Sequence, residues 1–353
     1  MTVLKLGSLF DGIGVFPLAA VHCGIEPVWA SEIEARPISI TKRHFPNMLH
    51  LGDITKINGA EVPPVDVITF GSPCQDLSQI GTRNGFAGKK SSLFYQAMRI
   101  IEEMRYATNG RYPAFCIWEN VAGAFSSNDR LDFAAMLRAF TGAEVSVPPR
   151  GWAHAGMVRG GCADTAWRLL DAQYWGEPAL VQRRKRVFVV ADFAGQRAGE
   201  VLFKPRTVLP FSEIGSSGGL SATQRGGVPA AQTGRQVPIV RPFSLRRMRT
   251  MAQVGDQKGF CASFGRGGEP FPTLLASVTA PFSFWYEGEE RDGFLRALTP
   301  LECERLMGLP ENWTKYGCKN EEISDHARYR ALGNSIALPC AEYVMAGIAE
   351  VMN

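Results

Sequence analysis

The 353-residue chain predicts an α/β fold, a Rossmann-like mixed sheet joined to a smaller, loop-rich region. Three observations carry this expectation. Leu4–Leu9, a Phe10-Asp11-Gly12-Ile13-Gly14 turn and an apolar run from Val15 to Cys23 closed by Gly24 read as strand, glycine turn and helix. That is a nucleotide-binding start, with helix N–H groups turned toward a ligand. Short apolar runs recur at Val65–Phe70, Cys116–Val121 and Val187–Ala191, as buried strands do. From residue 203 to 295 clean periodicity is lost, and Gly215–Gly234 is rich in Gly, Ser, Ala and Gln.

Composition narrows the classes. A hydrophobic share of 45% and a charged share of 20% are those of an ordinary soluble protein. The N-terminus enters a strand directly and has no signal-peptide layout. No apolar run reaches the roughly 18 residues of a membrane span. The eight cysteines form no Cys-x-x-Cys pair and there is no His-Glu-x-x-His, so no metal site and no disulfide framework is expected, and a reducing cytoplasm fits. A net charge of +4 says little about partners.

The strand ends hold the chemistry. Gly71, Ser72 and Pro73 stop the Val65–Phe70 run, which puts Cys74 on a stiff loop at the strand's carboxyl end, where open α/β sheets bind ligands. A thiol there needs a cation, a base or a helix N-terminus to become a thiolate; a buried inert cysteine is the alternative. Cys116–Val121 carries Glu119 and Asn120 at its end, and Gln182-Arg183-Arg184-Lys185-Arg186 leads into Val187–Ala191. A thiol, a carboxyl group and alternating arginines could thus converge on one planar substrate. Glu26–Glu32 reads as the second strand, and Glu32, about 20 residues after the glycine turn, suits the ribose hydroxyls of an adenosine cofactor. Asp53, followed by Ile54 at the end of a third strand, suits an adenine amino group. Pro17 replaces the third glycine of the dinucleotide fingerprint and argues against a pyrophosphate cofactor. A glycine turn without a ligand stays open as the bland alternative.

The remaining elements follow in order. Gly81–Lys90 is a polar loop with Arg83. Leu93, Phe94, Ala97, Met98, Ile101 and Met104 form a helical core stripe, and Arg130–Phe140 is a further helix. Residues 144–163 are rich in Gly, Pro and Arg. Thr165–Trp175 and Arg186–Asp192 are the last two strands of the sheet. Residues 203–250 hold eight basic side chains against Glu213 alone, with Arg246, Arg247 and Arg249 clustered beside Arg241. Such charge is a footprint of phosphate binding, and is also met on plain solvated faces. Thr299-Pro300-Leu301-Glu302 is a capping box that starts a helix, and Pro339–Met352 is the last helix.

Pro-Cys-Gln at 73–75, Glu-Asn-Val at 119–121, Gln-x-Arg-x-Arg at 182–186 and Gly-Asn-Ser-Ile at 333–336, with the glycine turn, occur in one order from residue 6 to 350. In these motifs the chain resembles the DNA cytosine-C5 methyltransferases. The resemblance implies a class I S-adenosylmethionine-dependent methyltransferase fold with a target-recognition domain. It divides the chain into a discontinuous catalytic and cofactor-binding domain, 1–200 and 325–353, and a recognition domain, 201–324. It implies S-adenosyl-L-methionine as cofactor, S-adenosyl-L-homocysteine as product, and no metal. Positions matching Phe10, Asp11, Gly12, Gly14, Glu32, Ile33, Asp53, Ile54, Pro73, Leu93, Asn334 and Ser335 would hold the cofactor, although Ile33 stands where several members carry an aromatic residue. Arg83, Arg246, Arg247, Arg249 and Thr273 would meet DNA, and residues 144–163 are either an extra DNA-facing loop or a surface excursion.

The implied reaction is covalent. Cys74 attacks carbon 6 of cytosine, Glu119 holds and protonates N3, Arg186 and Arg184 grip the carbonyl oxygen, and Asn120 orients the Pro73-Cys74 loop. The base must be flipped out of the duplex. The expected partner is double-stranded DNA, with a cognate restriction endonuclease as an optional one; the chain should be a nucleoid-associated cytoplasmic monomer with no membrane contact. The rivals are the same chemistry on transfer RNA, a catalytically silent DNA-binding relative, and a nicotinamide-dependent oxidoreductase, which Pro17 and the Cys74 loop disfavour.

Overall fold

The computed structural model describes residues 3–72, 93–204, 271, 273–274 and 297–353, together with the backbone of 239–242, 282–286 and 293–296. The expected site residues Pro73, Cys74, Arg83, Arg246, Arg247 and Arg249, and the Gly81–Lys90 loop, lie outside the described residues.

Eight strands form the main sheet: β1 (Lys5–Leu9), β2 (Glu26–Ser31), β3 (Leu49–His50), β4 (Val67–Phe70), β5 (Phe115–Val121), β6 (Ala155–Arg159), β7 (Asp164–Asp171) and β8 (Lys185–Asp192). Their order is β3-β2-β1-β4-β5-β8-β7-β6. The first five are parallel, whereas β8, β7 and β6 are antiparallel to their neighbours. The order reverses between β1 and β4, and a crevice opens at such a switch point beyond the carboxyl ends of the strands.

Side-chain alternation along each strand feeds two cores. Phe115, Ile117, Phe188 and Val190 face the core shared with α1 (Val15–His22) and the last helix. Cys116, Trp118, Val187 and Val189 face the opposite core, built with α3 (Leu93–Ala107) and α4 (Leu131–Thr141). Between these lies α2 (Ala35–His44), and α5 (Ala198–Leu202) follows β8. The chain ends in α6 (Pro300–Leu306), α7 (Asp325–Asn334) and α8 (Leu338–Met352). Helix α8 packs on α1 and α5. The expected capping box opens α6: Thr299 Oγ1 accepts from Glu302 N–H, and Glu302 accepts from Thr299 N–H.

The structure departs from expectation in three places. Part of the Gly/Pro/Arg-rich stretch 144–163 is an edge strand, β6, paired with β7. The stretch expected to be irregular holds a three-stranded antiparallel sheet, β9 (Ile239–Pro242), β10 (Phe282–Tyr286) and β11 (Gly293–Ala297). Finally, Leu298, Cys303, Met307, Trp313 and Ile323, assigned to the recognition domain, share the core of Leu6 and Ile13.

A buried charge network locks that last segment down. Glu304, fully buried, lies 3.0 Å from Arg328 Nη2 and also accepts from the Asn312 and Thr314 backbone N–H groups and the Thr314 hydroxyl. A buried pair with one partner removed leaves an uncompensated charge. Arg328→Leu should therefore cost about 3–5 kcal/mol in denaturant unfolding, whereas Arg305→Leu, which breaks the half-exposed pair with Glu311, should cost under about 1 kcal/mol.

Candidate active site

A cavity of about 520 Å3 lies at the β1–β4 switch point, a size usual for a small-ligand site. One wall comes from the glycine turn. Phe10 holds a left-handed backbone (φ 54°), and Phe10, Asp11 and Gly12 line the cavity. Around Gly12 nothing lies where a side chain would start, so a ligand can approach its backbone. Gly14 has φ +77°, and a Cβ there would come within 2.9 Å of Thr41. It is absent from the cavity wall. At this position the turn packs closely on α2.

Glu32, at the end of β2, ties this wall together. Its carboxylate accepts from the N–H groups of Gly12 (2.9 Å), Ile33 (2.7 Å) and Glu34 (2.9 Å). Beside it Asp11 Oδ1 and Oδ2 are buried without hydrogen-bond partners. Burial, with Glu32 adding to it against the opposing Ser8, pushes the Asp11 carboxyl up to about 7. The other adenosine candidates stand back. Ile33 is 73% exposed, Ile54 is buried in the core, Asp53 caps the turn after it by accepting from Thr55, and neither these nor Leu93 belong to the cavity wall.

The opposite wall comes from the ends of β4 and β5. Gly71 and Ser72 end β4, and Glu119 and Asn120 end β5. Asn120 Nδ2 donates to the Ser72 carbonyl (2.9 Å) and Trp118 Nε1 to the Ser72 hydroxyl (3.1 Å), so β5 grips the chain two residues before Cys74. A Cβ on Gly71 would meet Glu119 Oε2 at 3.2 Å, which keeps this position small. Antiparallel pairing of β5 with β8 sets Val121 opposite Arg186, and Arg186 Nε lies 3.0 Å from Glu119 Oε1. Burial raises the Glu119 carboxyl above the usual carboxylate range, although Arg186 and Arg184 pull it down.

Arg184 is bound into the protein itself. It is 1% exposed and absent from the cavity wall. Its guanidinium donates to the carbonyls of Leu274 (2.9 Å), Gly333 (2.8 Å) and Ser335. Through these bonds Arg184 holds two distant segments at the cavity. Thr273 and Leu274 line it from one, and Asn334, Ser335 and Ile336 from the other. The first segment is also pinned by Thr273 Oγ1 donating to the Arg183 carbonyl (2.6 Å) and by Phe271 bonding to Val181 and Arg183.

Other cavity residues escaped sequence reading: Phe16, Glu34 and Pro37. Glu34, two residues after Glu32, pairs with Arg330 across the entrance (2.7 Å). That spacing was the available signal. No group of His, Cys, Asp or Glu side chains among the described residues could hold a metal ion, and no single helix among them is long and apolar enough to cross a membrane.

The raised Asp11 carboxyl has a pH signature. In the unfolded chain this group ionises near 3.8, in the folded chain near 7. Between these values the folded state holds the extra proton, so the Asp11 contribution is full below pH 4 and is lost as pH rises through 7. Asp11→Asn should remove that loss: in melting curves the variant gains on the original chain from pH 4 to 8. A constant difference across that range would contradict the assignment.

Comparison with known proteins agrees with this architecture. The C-5 cytosine-specific DNA methylase family model matches residues 4–205 and 245–350. The chain is 24% identical to the DNA N-6-adenine-methyltransferase of Escherichia phage P1, over 98% of its own length but 61% of that protein. It is 23% identical to the type II methyltransferase M.HhaI of Haemophilus parahaemolyticus, covering all of this chain and 96% of that one. In fold it is similar to the S. pombe Dnmt2 methyltransferase, with a TM-score of 0.59 at 16% identity and 99% coverage of both chains. The eight-stranded mixed sheet is that of the class I S-adenosylmethionine-dependent methyltransferases, and the chain belongs to the C-5 cytosine-specific DNA methylase family.

Proposed function

We propose that the chain methylates carbon 5 of a flipped-out cytosine in duplex DNA, at a short target sequence, through a covalent bond between Cys74 and carbon 6. The observation that carries this reading is the Glu119–Arg186 pair, which opens on the same cavity as the glycine turn and Glu32. The donor set fits S-adenosylmethionine: Phe10, Asp11, Gly12 and Glu32 would hold its adenosine and methionine parts, with Asn334 and Ser335 closing the far side. The cofactor supplies a methyl group made electrophilic by its sulfonium, and S-adenosylhomocysteine is the product.

The chain's own residues do the rest. Carbon 5 of cytosine is too weak a nucleophile to accept that methyl group unaided. Addition of the Cys74 thiolate to carbon 6 breaks the aromatic ring and moves electron density to carbon 5. Glu119, whose carboxyl burial raises above the usual range, gives a proton to N3, so no full anion builds up. Arg186 holds the carbonyl oxygen. Methyl gain at carbon 5, loss of the carbon 5 proton to water, expulsion of the thiolate and return of the N3 proton to Glu119 then restore the neutral aromatic ring. Asn120 anchors the loop through Ser72.

The three-stranded sheet and the basic residues from 203 to 250, Arg246, Arg247 and Arg249 among them, would form the recognition domain. Because Leu298–Ile323 share the main core, the domain boundary belongs nearer 298 than 325. Duplex DNA is the partner, a cognate restriction endonuclease is a second one that the type II relatives suggest, and the chain would act as a monomer at the nucleoid.

Nucleoside analysis and bisulfite sequencing of DNA from cells expressing the chain test this directly. Protected cytosines within one short motif, absent with Cys74→Ala, are expected. Glu119→Gln should lower kcat by about 10²–10⁴-fold. N6-methyladenine without 5-methylcytosine would overturn the reading, as would methyl transfer to transfer RNA alone.

A further inference from the structure

The charged groups of the active-site cavity do not balance. Its wall holds Asp11, Glu32, Glu34, Glu119 and Arg186. Arg186 is paired with Glu119, and Glu34 with Arg330 of α7. Helix α1 brings no charged side chain before His22 in its last turn. Glu32 is answered by three backbone N–H groups. That leaves Asp11. Both its carboxyl oxygens are buried, neither has a hydrogen-bond partner, and no cation among the described residues pairs with it. Such a group is costly unless it keeps a proton or meets a donor. Burial and the nearby Glu32, acting against Ser8, push its ionisation up to about 7.

The fold selects the part of a ligand that would meet this carboxyl. Asp11 N–H donates to the Ser31 carbonyl at the end of β2 (3.1 Å), and Gly12, the next residue, donates to Glu32. The sheet order β2-β1-β4-β5 then puts Asp11 between Glu32, just beyond β2, and Glu119, near the end of β5. A cofactor with its ribose on Glu32 and its methyl group directed at a base beside Glu119 carries its sulfur past Asp11. The amino-acid arm branches from that sulfur. Its ammonium has N–H donors to offer, whereas the sulfonium has none. Gly12, with open space where a side chain would start, leaves room for the arm.

We infer that Asp11 accepts the ammonium group at the amino-acid end of the cofactor and gives up a proton to solvent as the two pair. The inference rests on the methyltransferase reading above and adds proton exchange to cofactor binding. A neutral carboxyl becomes a carboxylate, the ammonium keeps its charge, and one proton leaves. S-adenosylmethionine and S-adenosylhomocysteine both carry that ammonium, so cofactor and product alike bind more tightly as pH rises toward 7.

The test is titration calorimetry at pH 6 in buffers of different ionisation enthalpy, which counts the protons exchanged on binding. At this pH the amino group of the ligand is already charged, so it takes up none. S-adenosylhomocysteine and S-adenosylmethionine should each release about one proton from the original chain. Methylthioadenosine, which has the nucleoside and the sulfur but no amino-acid arm, should release none. Asp11→Asn, checked for folding by its melting temperature, should bind S-adenosylhomocysteine without release and about tenfold more weakly at pH 7. From pH 5 to 6 the Kd should fall about tenfold in the original chain and stay level in the variant. Binding of S-adenosylhomocysteine with no proton released, equal release with methylthioadenosine, or unchanged release from folded Asp11→Asn would each overturn this inference alone. Release with S-adenosylmethionine but not with S-adenosylhomocysteine would overturn it too, by putting the sulfonium at Asp11. Where the variant does not fold, S-adenosylhomocysteine against methylthioadenosine on the original chain decides. An original chain that binds neither S-adenosylmethionine nor S-adenosylhomocysteine would overturn this inference and the cofactor reading together.

Discussion

A fully buried guanidinium has to be answered by oxygen atoms, and Arg184 is answered by carbonyls from two segments about 90 and 150 residues further along the chain. Taking that charge out of water costs several kcal/mol, and burial pushes the guanidinium well below its ordinary range. The cost is offset only while Leu274, Gly333 and Ser335 stay in place. The cavity therefore closes around Arg184, whose Nη1 and Nη2 hold the segment next to Thr273 and the Asn334-Ser335 turn beside β8. Arg186, two residues on along the same face of β8, is delivered to Glu119 by the same constraint.

The chemistry is arranged by strand ends rather than by loops alone. β5 presents Glu119 on one face and, through Trp118 and Asn120, fixes Ser72 at the exit of β4. β8 runs antiparallel to β5, which brings its first residues, the arginines, to the edge where the parallel strands finish. Burial and the arginines act on Glu119 in opposite directions, and burial dominates. A carboxyl balanced in this way can give up a proton when charge develops on a ring nitrogen, which water-exposed carboxylates do poorly.

Much of this was legible before the fold was seen. Strand, glycine turn and helix at the start, the capping box at Thr299, the last helix and the meeting of Glu119 with Arg186 and of Asn120 with Ser72 all follow from local pattern. What local pattern does not encode is which of two like residues faces the cavity. Arg184 and Arg186 share a face and a charge, and only the arrival of distant carbonyls makes one a strut. Glu34 became a cavity residue for the same reason. β6 was missed because an exposed edge strand with Gly156 inside it carries no apolar run. Sequence order suggests one continuous recognition segment, yet residues 298–323 pack with the main core, where the buried Glu304–Arg328 pair and Trp313, whose indole donates to the Ile13 carbonyl, hold them beside the glycine turn.

The central claim is a covalent bond between this chain and its base, and it can be trapped. In a duplex whose target cytosine carries fluorine at carbon 5, the proton that must leave after methyl transfer is absent, so the adduct cannot break down. The account predicts a denaturation-stable, one-to-one protein–DNA complex that needs S-adenosylmethionine and maps to the peptide containing Cys74. Turnover of ordinary cytosine with no trapped complex, or a complex joined at another residue, would contradict it.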